Sequence, residues 1–431
     1  MSISSSMNIG ASGLSAHGDA IEITGDNIAN ANTIGFKGSR ATFEDVMGQT
    51  VLGSGGQPAR TGMGVRLGPV EKNFDQGSLQ NTGSVTDLAL DGSGFFVYAG
   101  TQGGVTGDFY SRAGQLHIAQ DGTLQNPQGM RLQGHPVDAQ GQLQASVGDL
   151  RVANTTLPPL ATANATINAN LDSGATVPAA FSTADPYGTS SFSTSVTAYD
   201  SLGNARKIDV FFRNAGGGTC EWYALTDGSN VTGGTAGTPF QGANGTLTFN
   251  TSGALDTVTG NASTWNFLGA TAGQALNFDF GDAIAAGGTG LAGSTQFAGA
   301  STVQKLEQDG YSAGTIRGIS IGDDGVITGS FSNGQKRTIG QVVVATFPSD
   351  AGLDRLGSSM FGQTAASGAA MLGDPSTGAR GRVVSGSLEQ SNVDLGKEFV
   401  DLIALQRGFQ ANSKIVTTAD EMLQETMQLK R

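Results

Sequence analysis

The chain has 431 residues, enough for two to four folded units, and 67 of them are glycine against a usual share of about 7%. Charged residues reach only 14%, and a net charge of −13 with 23 Lys+Arg excludes a surface built to hold nucleic-acid phosphates. A 38% hydrophobic content excludes a wholly disordered chain, and 11 prolines with no three-residue glycine period exclude a collagen-like one.

At the N-terminal end, Met7, Leu14, Ile21 and Ile28 recur every seven residues. Such a row lies along one side of a helix and favours supercoiling against a partner. Between them, Ala11, Gly18 and Gly25 would let another helix approach closely. Gly10, Gly13, Gly18 and Gly25 also weaken the isolated helix, by about 0.5–1 kcal/mol each relative to alanine. The segment is expected to fray until a partner covers its stripe. The first residues lack the basic and apolar regions of a secretory signal peptide, and no run of about 20 apolar residues predicts a membrane span.

Residues 34–75, rich in glycine, read as a connecting segment together with 372–387. From residue 76 the helical period gives way to short alternating runs. Residues 191–199, the turn 200–204, and Ile208, Val210 and Phe212 form a hairpin pattern. The span 214–304 contains no Lys or Arg, and Leu157-Pro-Pro-Leu160 leads toward it. These shifts predict an inserted outer β domain at 158–302, with 76–157 and 303–371 closing a middle β domain around it. Asp324-Gly325 and Asn333-Gly334, turn signals of the I′ kind, divide Ile316–Ile321, Val326–Phe331 and 336–344 into a meander.

Toward the C-terminus, Ser391-Asn392-Val393-Asp394 has the form of a capping box. Leu388, Leu395, Leu402, Phe409, Val416 and Leu423 then recur every seven residues, with Gly408, Ile415, Met422 and Leu429 as a second row. A helix over 393–429 would be about 55 Å long. Two such stripes at opposite ends most simply pair, placing 1–33 and 388–431 in one helical domain. The expected class is therefore multidomain and mainly β, with nested sandwich- or barrel-like domains and long terminal helices paired as a coiled coil.

No chemical constellation stands out. There is no phosphate loop, no His-Glu-x-x-His and no calcium loop. His17, His117 and His135 show no ligand spacing, and the single cysteine, Cys220, can form no internal disulfide. Asp323 and Asp324 fall on the turn described above, where solvated acids are ordinary. No catalytic residue, cofactor or metal site is expected, and the chain does not read as an enzyme.

The ends carry a more specific pattern. Ala29-Asn-Ala-Asn-Thr-Ile-Gly-Phe-Lys37, Gly386-Ser-Leu-Glu-Gln-Ser-Asn-Val-Asp-Leu395 and the Gln406-Arg407 pair after it resemble the signatures of the bacterial flagellar rod and hook axial protein family. Asp87-Leu-Ala-Leu-Asp-Gly-Ser-Gly-Phe-Phe96 and Phe109-Tyr-Ser-Arg-Ala-Gly114 resemble its β-domain segments. Asn170-Leu-Asp-Ser173 and the stretch 306–314 are similar to segments bounding the outer domain of the family's hook branch. The tail 420–431 is as similar to the rod branch.

The resemblance implies a hook subunit that polymerises with its own kind into a curved hollow tube and transmits torque from rod to filament as a universal joint. The alternative it implies is a distal rod component of the basal body. Implied site residues are the stripes, Met7, Leu14, Ile21, Ile28, Leu395, Leu402, Phe409, Val416 and Leu423, and the motif residues Asn30, Thr33, Gly35, Phe36, Lys37, Ser391, Asn392, Val393, Gln406 and Arg407. Gln406, Gln410, Asn412 and Lys414 would line the channel. Phe43 to Met47 is similar to a short element that docks early substrates at the export gate. Implied partners are the distal rod, hook cap and hook–filament junction proteins and the flagellar type III export apparatus, with no nucleic acid and no membrane insertion. The place is the extracellular flagellum, reached without a cleaved signal peptide.

Overall fold

The computed structural model describes residues 3–52, 58–138, 141–152 and 156–428. It divides into two compact units, one made of Met1–Asn154, Gly318–Ser330 and Lys336–Arg431, the other of Thr155–Arg317 and Phe331–Gln335.

The first unit joins the two ends of the chain. Helix α1, Ile3–Ala29, packs along helix α2, Leu395–Gln428, and also against the strands Ser39–Arg40 and Val65–Leu67. The start of α2 differs from the capping-box expectation. Asp394, not Ser391, is the cap: its carboxylate accepts from the backbone N–H of Gly396 at 2.8 Å and of Lys397 at 3.3 Å. Ser391 instead closes a local turn by accepting from Val393 N–H at 3.3 Å. Leu429, the last member of the second seven-residue row, lies outside the described residues.

Beside the helices, strand Phe95–Gln102 is central to an antiparallel sheet, flanked by Val105–Ser111 and Arg131–Pro136. The meander Ile316–Ile321, Val326–Phe331, Lys336–Val342 continues it. Its two turns are not I′. Only Gly325 (φ 74°) and Gly334 (φ 81°) are left-handed, and their N–H groups close on Gly322 and Phe331 carbonyls at 2.9 and 3.0 Å. The preceding Asp324 and Asn333 keep ordinary φ, so each is a type I turn finished by a left-handed glycine. The core of this sheet is aromatic, with Phe95, Tyr110, Phe347 and Phe361 buried among Val97, Ala345 and Leu353.

The second unit is a β-sandwich. Five antiparallel strands run in chain order: Phe192–Tyr199, Ala205–Gly216, Thr219–Asp227, Pro239–Phe249 and Leu255–Val258. A second sheet has the order Ala262–Trp265, Gln274–Asp279, Asn164–Asn170, Thr302–Gln308. The alternation read at 208–212 is a burial pattern, with Ile208, Val210 and Phe212 inside. They share one core with Trp222, Trp265, Phe278 and Phe280, contributed by both sheets. The indole N–H of Trp222 donates to Thr259 O at 3.2 Å and that of Trp265 to Ser263 Oγ at 2.9 Å, so neither buried donor is orphaned. Cys220 is buried in the same core, where desolvation pushes its thiol up to about 12. Among the described residues, no helix is long and apolar enough to cross a membrane.

Candidate assembly site

Two features of the first unit bear on assembly: a latch that ties the two ends together, and the pair of helices beyond it. The latch begins where α1 stops. Asn30 donates to the Asp26 carbonyl and carboxylate at 2.9 Å each, and Thr33 Oγ1 donates to Asn30 Oδ1 at 3.0 Å, which folds the chain off the helix axis. Gly35 then takes φ 65°, and a Cβ there would sit 2.5 Å from Ala113 N, so the corner needs a glycine twice over. Phe36 is buried beneath the Arg355 guanidinium, 4.6 Å from its ring centroid. Arg355 also pairs with Asp26 at 3.2 Å and donates to the Lys37 carbonyl.

At the centre lies a buried ion cluster. Lys37 Nζ donates to Glu389 Oε1 at 2.6 Å and to Asp75 O at 2.7 Å. Arg112 reaches Glu389 Oε2 at 3.3 Å, and Gly77 N–H donates to Oε1 at 2.8 Å. Lys37 and Glu389 side chains are both 0% exposed. Burial holds the Lys37 ammonium below its usual pKa, with Glu389 opposing that shift. Burial likewise lowers Arg112, though a guanidinium stays charged. Glu389 O also accepts from Gly35 N–H at 2.8 Å. Beside it, Asn392 Oδ1 accepts from Gly38 N–H at 2.9 Å while its Nδ2 donates to Asn73 and Asp75 carbonyls at 3.0 Å. Val393 packs against Gly38.

The structure thus brings Asn30, Thr33, Gly35, Phe36, Lys37, Ser391, Asn392 and Val393 to one place, although the two segments lie some 350 positions apart in the chain. It leaves Gln406 and Arg407 elsewhere, exposed on α2. Sequence reasoning missed Glu389 and Arg112 as partners. The available signal was an acid at 389 and a cation at 112, each between uncharged neighbours in a segment the family resemblance had already singled out.

The helix pair differs from the simple stripe-on-stripe picture. On α1 the buried face is Gly10, Gly13, Ala16, Ala20, Thr24 and Asn27, while Met7, Leu14, Ile21 and Ile28 sit half-buried on its shoulder. Close approach is made at Gly10, where a Cβ would meet Val416 at 3.0 Å, and at Gly13, where it would meet Asn412 at 2.6 Å. Gly408 of α2 does the same under the His17 ring at 2.7 Å. Ala11 is exposed, Gly18 is only in loose contact with Phe409, and Gly25 has nothing within 4 Å, so those are not the spacers. On α2, Leu402, Val416 and Leu423 are half-buried, and Ala419 is the residue most fully covered. Asn412 faces α1 and donates to Gly408 O at 2.9 Å, which removes it from the set expected on the polar face.

Much of the apolar surface of α2 has no partner in the single chain. Leu395 (41%), Phe399 (50%), Val400 (66%), Ile403 (50%), Phe409 (39%), Ile415 (45%) and Met422 (52%) are exposed. The segment from Phe43 to Met47 is exposed as well: Phe43–Asp45 is a strand paired with Val65–Leu67, and Met47 stands 84% exposed. Phe43 meets His17 at 5.2 Å between ring centroids and lines a groove of about 690 Å³ between the end of α1 and the first turns of α2.

Comparison with known proteins fits this arrangement. Residues 7–37 match the model of the flagella basal body rod protein, and 384–429 that of the flagellar basal body rod FlgEFG protein C-terminal. Residues 89–172 match the flagellar hook protein FlgE/F/G D1 domain, and 170–311 the flagellar basal body protein FlaE D2 domain. The chain is 34% identical to the flagellar hook protein FlgE of Salmonella typhimurium, over 97% of this chain and 98% of that one. It is 32% identical to the hook protein FlgE of Borreliella burgdorferi over 99% of each, and 32% identical to that of Brucella suis over 100% of each. A crystal structure of Helicobacter pylori flagellar hook protein FlgE2 has the same fold, with a TM-score of 0.50, 14% identity, and coverage of 73% of this chain and all of that one.

Proposed function

The chain belongs to the flagellar hook protein family and is a structural subunit of the hook, not an enzyme, and from that membership we propose how it assembles. The paired ends 1–33 and 388–431 form the inner tube domain of a curved hollow polymer of identical subunits. The observation that carries this reading is the apolar row left bare on α2, from Leu395 through Met422. Each of these side chains is already about half covered, so covering the rest contributes about 1 kcal/mol. Several per subunit are needed to exceed the cost of association, of order 4–15 kcal/mol, and several are present. Gln406, Gln410 and Lys414, exposed and polar, line the channel.

The segment 34–75 makes contacts between subunits, and Phe43 with Met47 is free to engage the flagellar type III export apparatus before assembly. The finished tube sits outside the cell between the distal rod protein and the hook–filament junction protein, grows under a hook cap protein, and turns as a universal joint. A cation-free stretch such as 214–304 suits this work. Faces that slide past one another as a curved tube rotates are served by interchangeable polar contacts, not by ion pairs of fixed geometry.

The test is polymerisation of purified subunit followed by electron microscopy. Removing residues 392–431, or substituting Phe399→Asp with Ile403→Asp, should abolish tubes while the β units stay folded by circular dichroism. Normal tubes from either variant would overturn the proposal.

A further inference from the structure

The groove between the end of α1 and the first turns of α2, about 690 Å³, is lined by two kinds of surface. Ala41, Phe43, Val393, Ala404 and Leu405 give it apolar walls, with Phe43 still 43% exposed. Along its α2 side stand Asp394, Glu398 and Asp401 against a single cation, Lys397, and none of these four is in an ion pair among the described residues. The cations opposite are already committed: Arg40 pairs with Glu71 at 2.6 Å, and Lys72 Nζ donates to Leu353 O. The charge left free in the groove is therefore negative.

The other end of α2 has the complementary character. Met427 stands 74% exposed there. Leu429, Lys430 and Arg431 follow in the sequence, one apolar residue and two cations. The last acid of the helix, Glu425, is more than a turn back from Lys430. From Leu405 to Met427 the helix runs unbroken for about 33 Å, so this end cannot reach the groove of its own chain.

We propose that the end of α2, from Met427 to Arg431, docks in this groove on a second copy of the chain. The inference rests on the assembly reading above and deepens it, naming one contact by which the polymer grows. Met427 and Leu429 cover Phe43 and Leu405, while Lys430 and Arg431 meet Glu398 and Asp401. Charge pairs of this kind fix partner and register more than they add affinity. Groove and tip are different surfaces of one subunit, so the contact is heterologous. Each docking event leaves a free groove and a free tip for the next subunit, which is the condition for an open helical polymer.

The test uses the full chain. In a Cys220→Ala background, Asp401→Cys and Leu429→Cys are made as separate proteins, mixed, polymerised and oxidised. Disulfide-linked dimers are expected from the mixed tubes, and neither from mixed monomer nor from tubes of either variant alone. A second measurement reads charge. Lys430→Glu with Arg431→Glu should raise the critical concentration for polymerisation about tenfold, the scale of two ion pairs turned into like-charge contacts. Adding Glu398→Lys with Asp401→Lys should restore it, which damage to folding would not do. Mixed tubes without linked dimers, or an unchanged critical concentration in the Lys430→Glu, Arg431→Glu variant, overturn the docking contact alone. A loss that the added lysines do not reverse assigns the two cations to another partner and overturns it as well. Failure of the unmodified chain to polymerise would refute the assembly reading and take this inference with it.

Discussion

Glu389 is the residue on which the first unit depends most. One carboxylate serves Lys37, Arg112 and Gly77 N–H with no solvent to replace it. Substituting Glu389→Ala leaves two buried cations unpaired, and the expected loss is about 3–5 kcal/mol, read as a shift in the urea midpoint of the helical signal. A loss below 1 kcal/mol would mean that water reaches the cluster. A second residue gives a test in pH. The folded pKa of Cys220, at about 12, lies above the 9.0 of a free thiol, so the native state holds its proton where the unfolded state has released it. That stabilisation is complete below pH 9.0 and falls away as pH rises from there toward 12. Denaturant midpoints should decline over that interval, and Cys220→Ala should flatten the decline up to about pH 10. Above that Tyr223, which burial first and its bond to Glu221 second push up to about 12, continues it. Lys37 was legible in the sequence as part of a motif, but its partner was not. A salt bridge between residues 37 and 389 is a product of topology, and nothing in local spacing encodes it.

At the scale of elements, glycine has two opposite roles on the terminal helices. Gly25 meets nothing within 4 Å, so Gly25→Ala should gain about 0.5–1 kcal/mol from helix propensity alone. Gly408→Ala gains the same propensity but drives a methyl group to 2.7 Å from the His17 ring, so it should lose net stability. Thermal unfolding followed at 222 nm separates the two, and equal gains would show that the helices do not approach as closely as described. The seven-residue rows located both helices correctly because apolar periodicity survives in any helix with one covered face. They misplaced the seam because the closest contacts are made by Gly10, Gly13 and Gly408, residues without side chains to register in a hydrophobic pattern. The helix start moved for a related reason. Ser391 and Asp394 are both good caps, and the choice between them was made by the latch, which holds the backbone around Asn392 in place and leaves Asp394 to meet the first free N–H groups.

For the whole molecule, each unit closes its own core, and the chain passes from one to the other and back. The strands of the second unit were legible at 191–212 because one buried face alternates with one wet face. The pairing of Asn164–Asn170 with Gln274–Asp279, parallel and far apart in sequence, was not, since no turn residue announces a non-local parallel contact. This division has a measurable consequence, because both tryptophans of the chain, Trp222 and Trp265, lie in the core of the second unit, while both long helices belong to the first. Tryptophan fluorescence and helical circular dichroism therefore report on different units. If the cores are energetically separate, Glu389→Ala should shift the dichroism transition by the full 3–5 kcal/mol while the fluorescence transition moves by less than about 0.5 kcal/mol, the tolerance for independent sites. Coincident shifts in both signals would require that the units unfold as one. That in turn would remove the basis for treating the second unit as a body that can be altered in a hook subunit without disturbing the helices that assemble it.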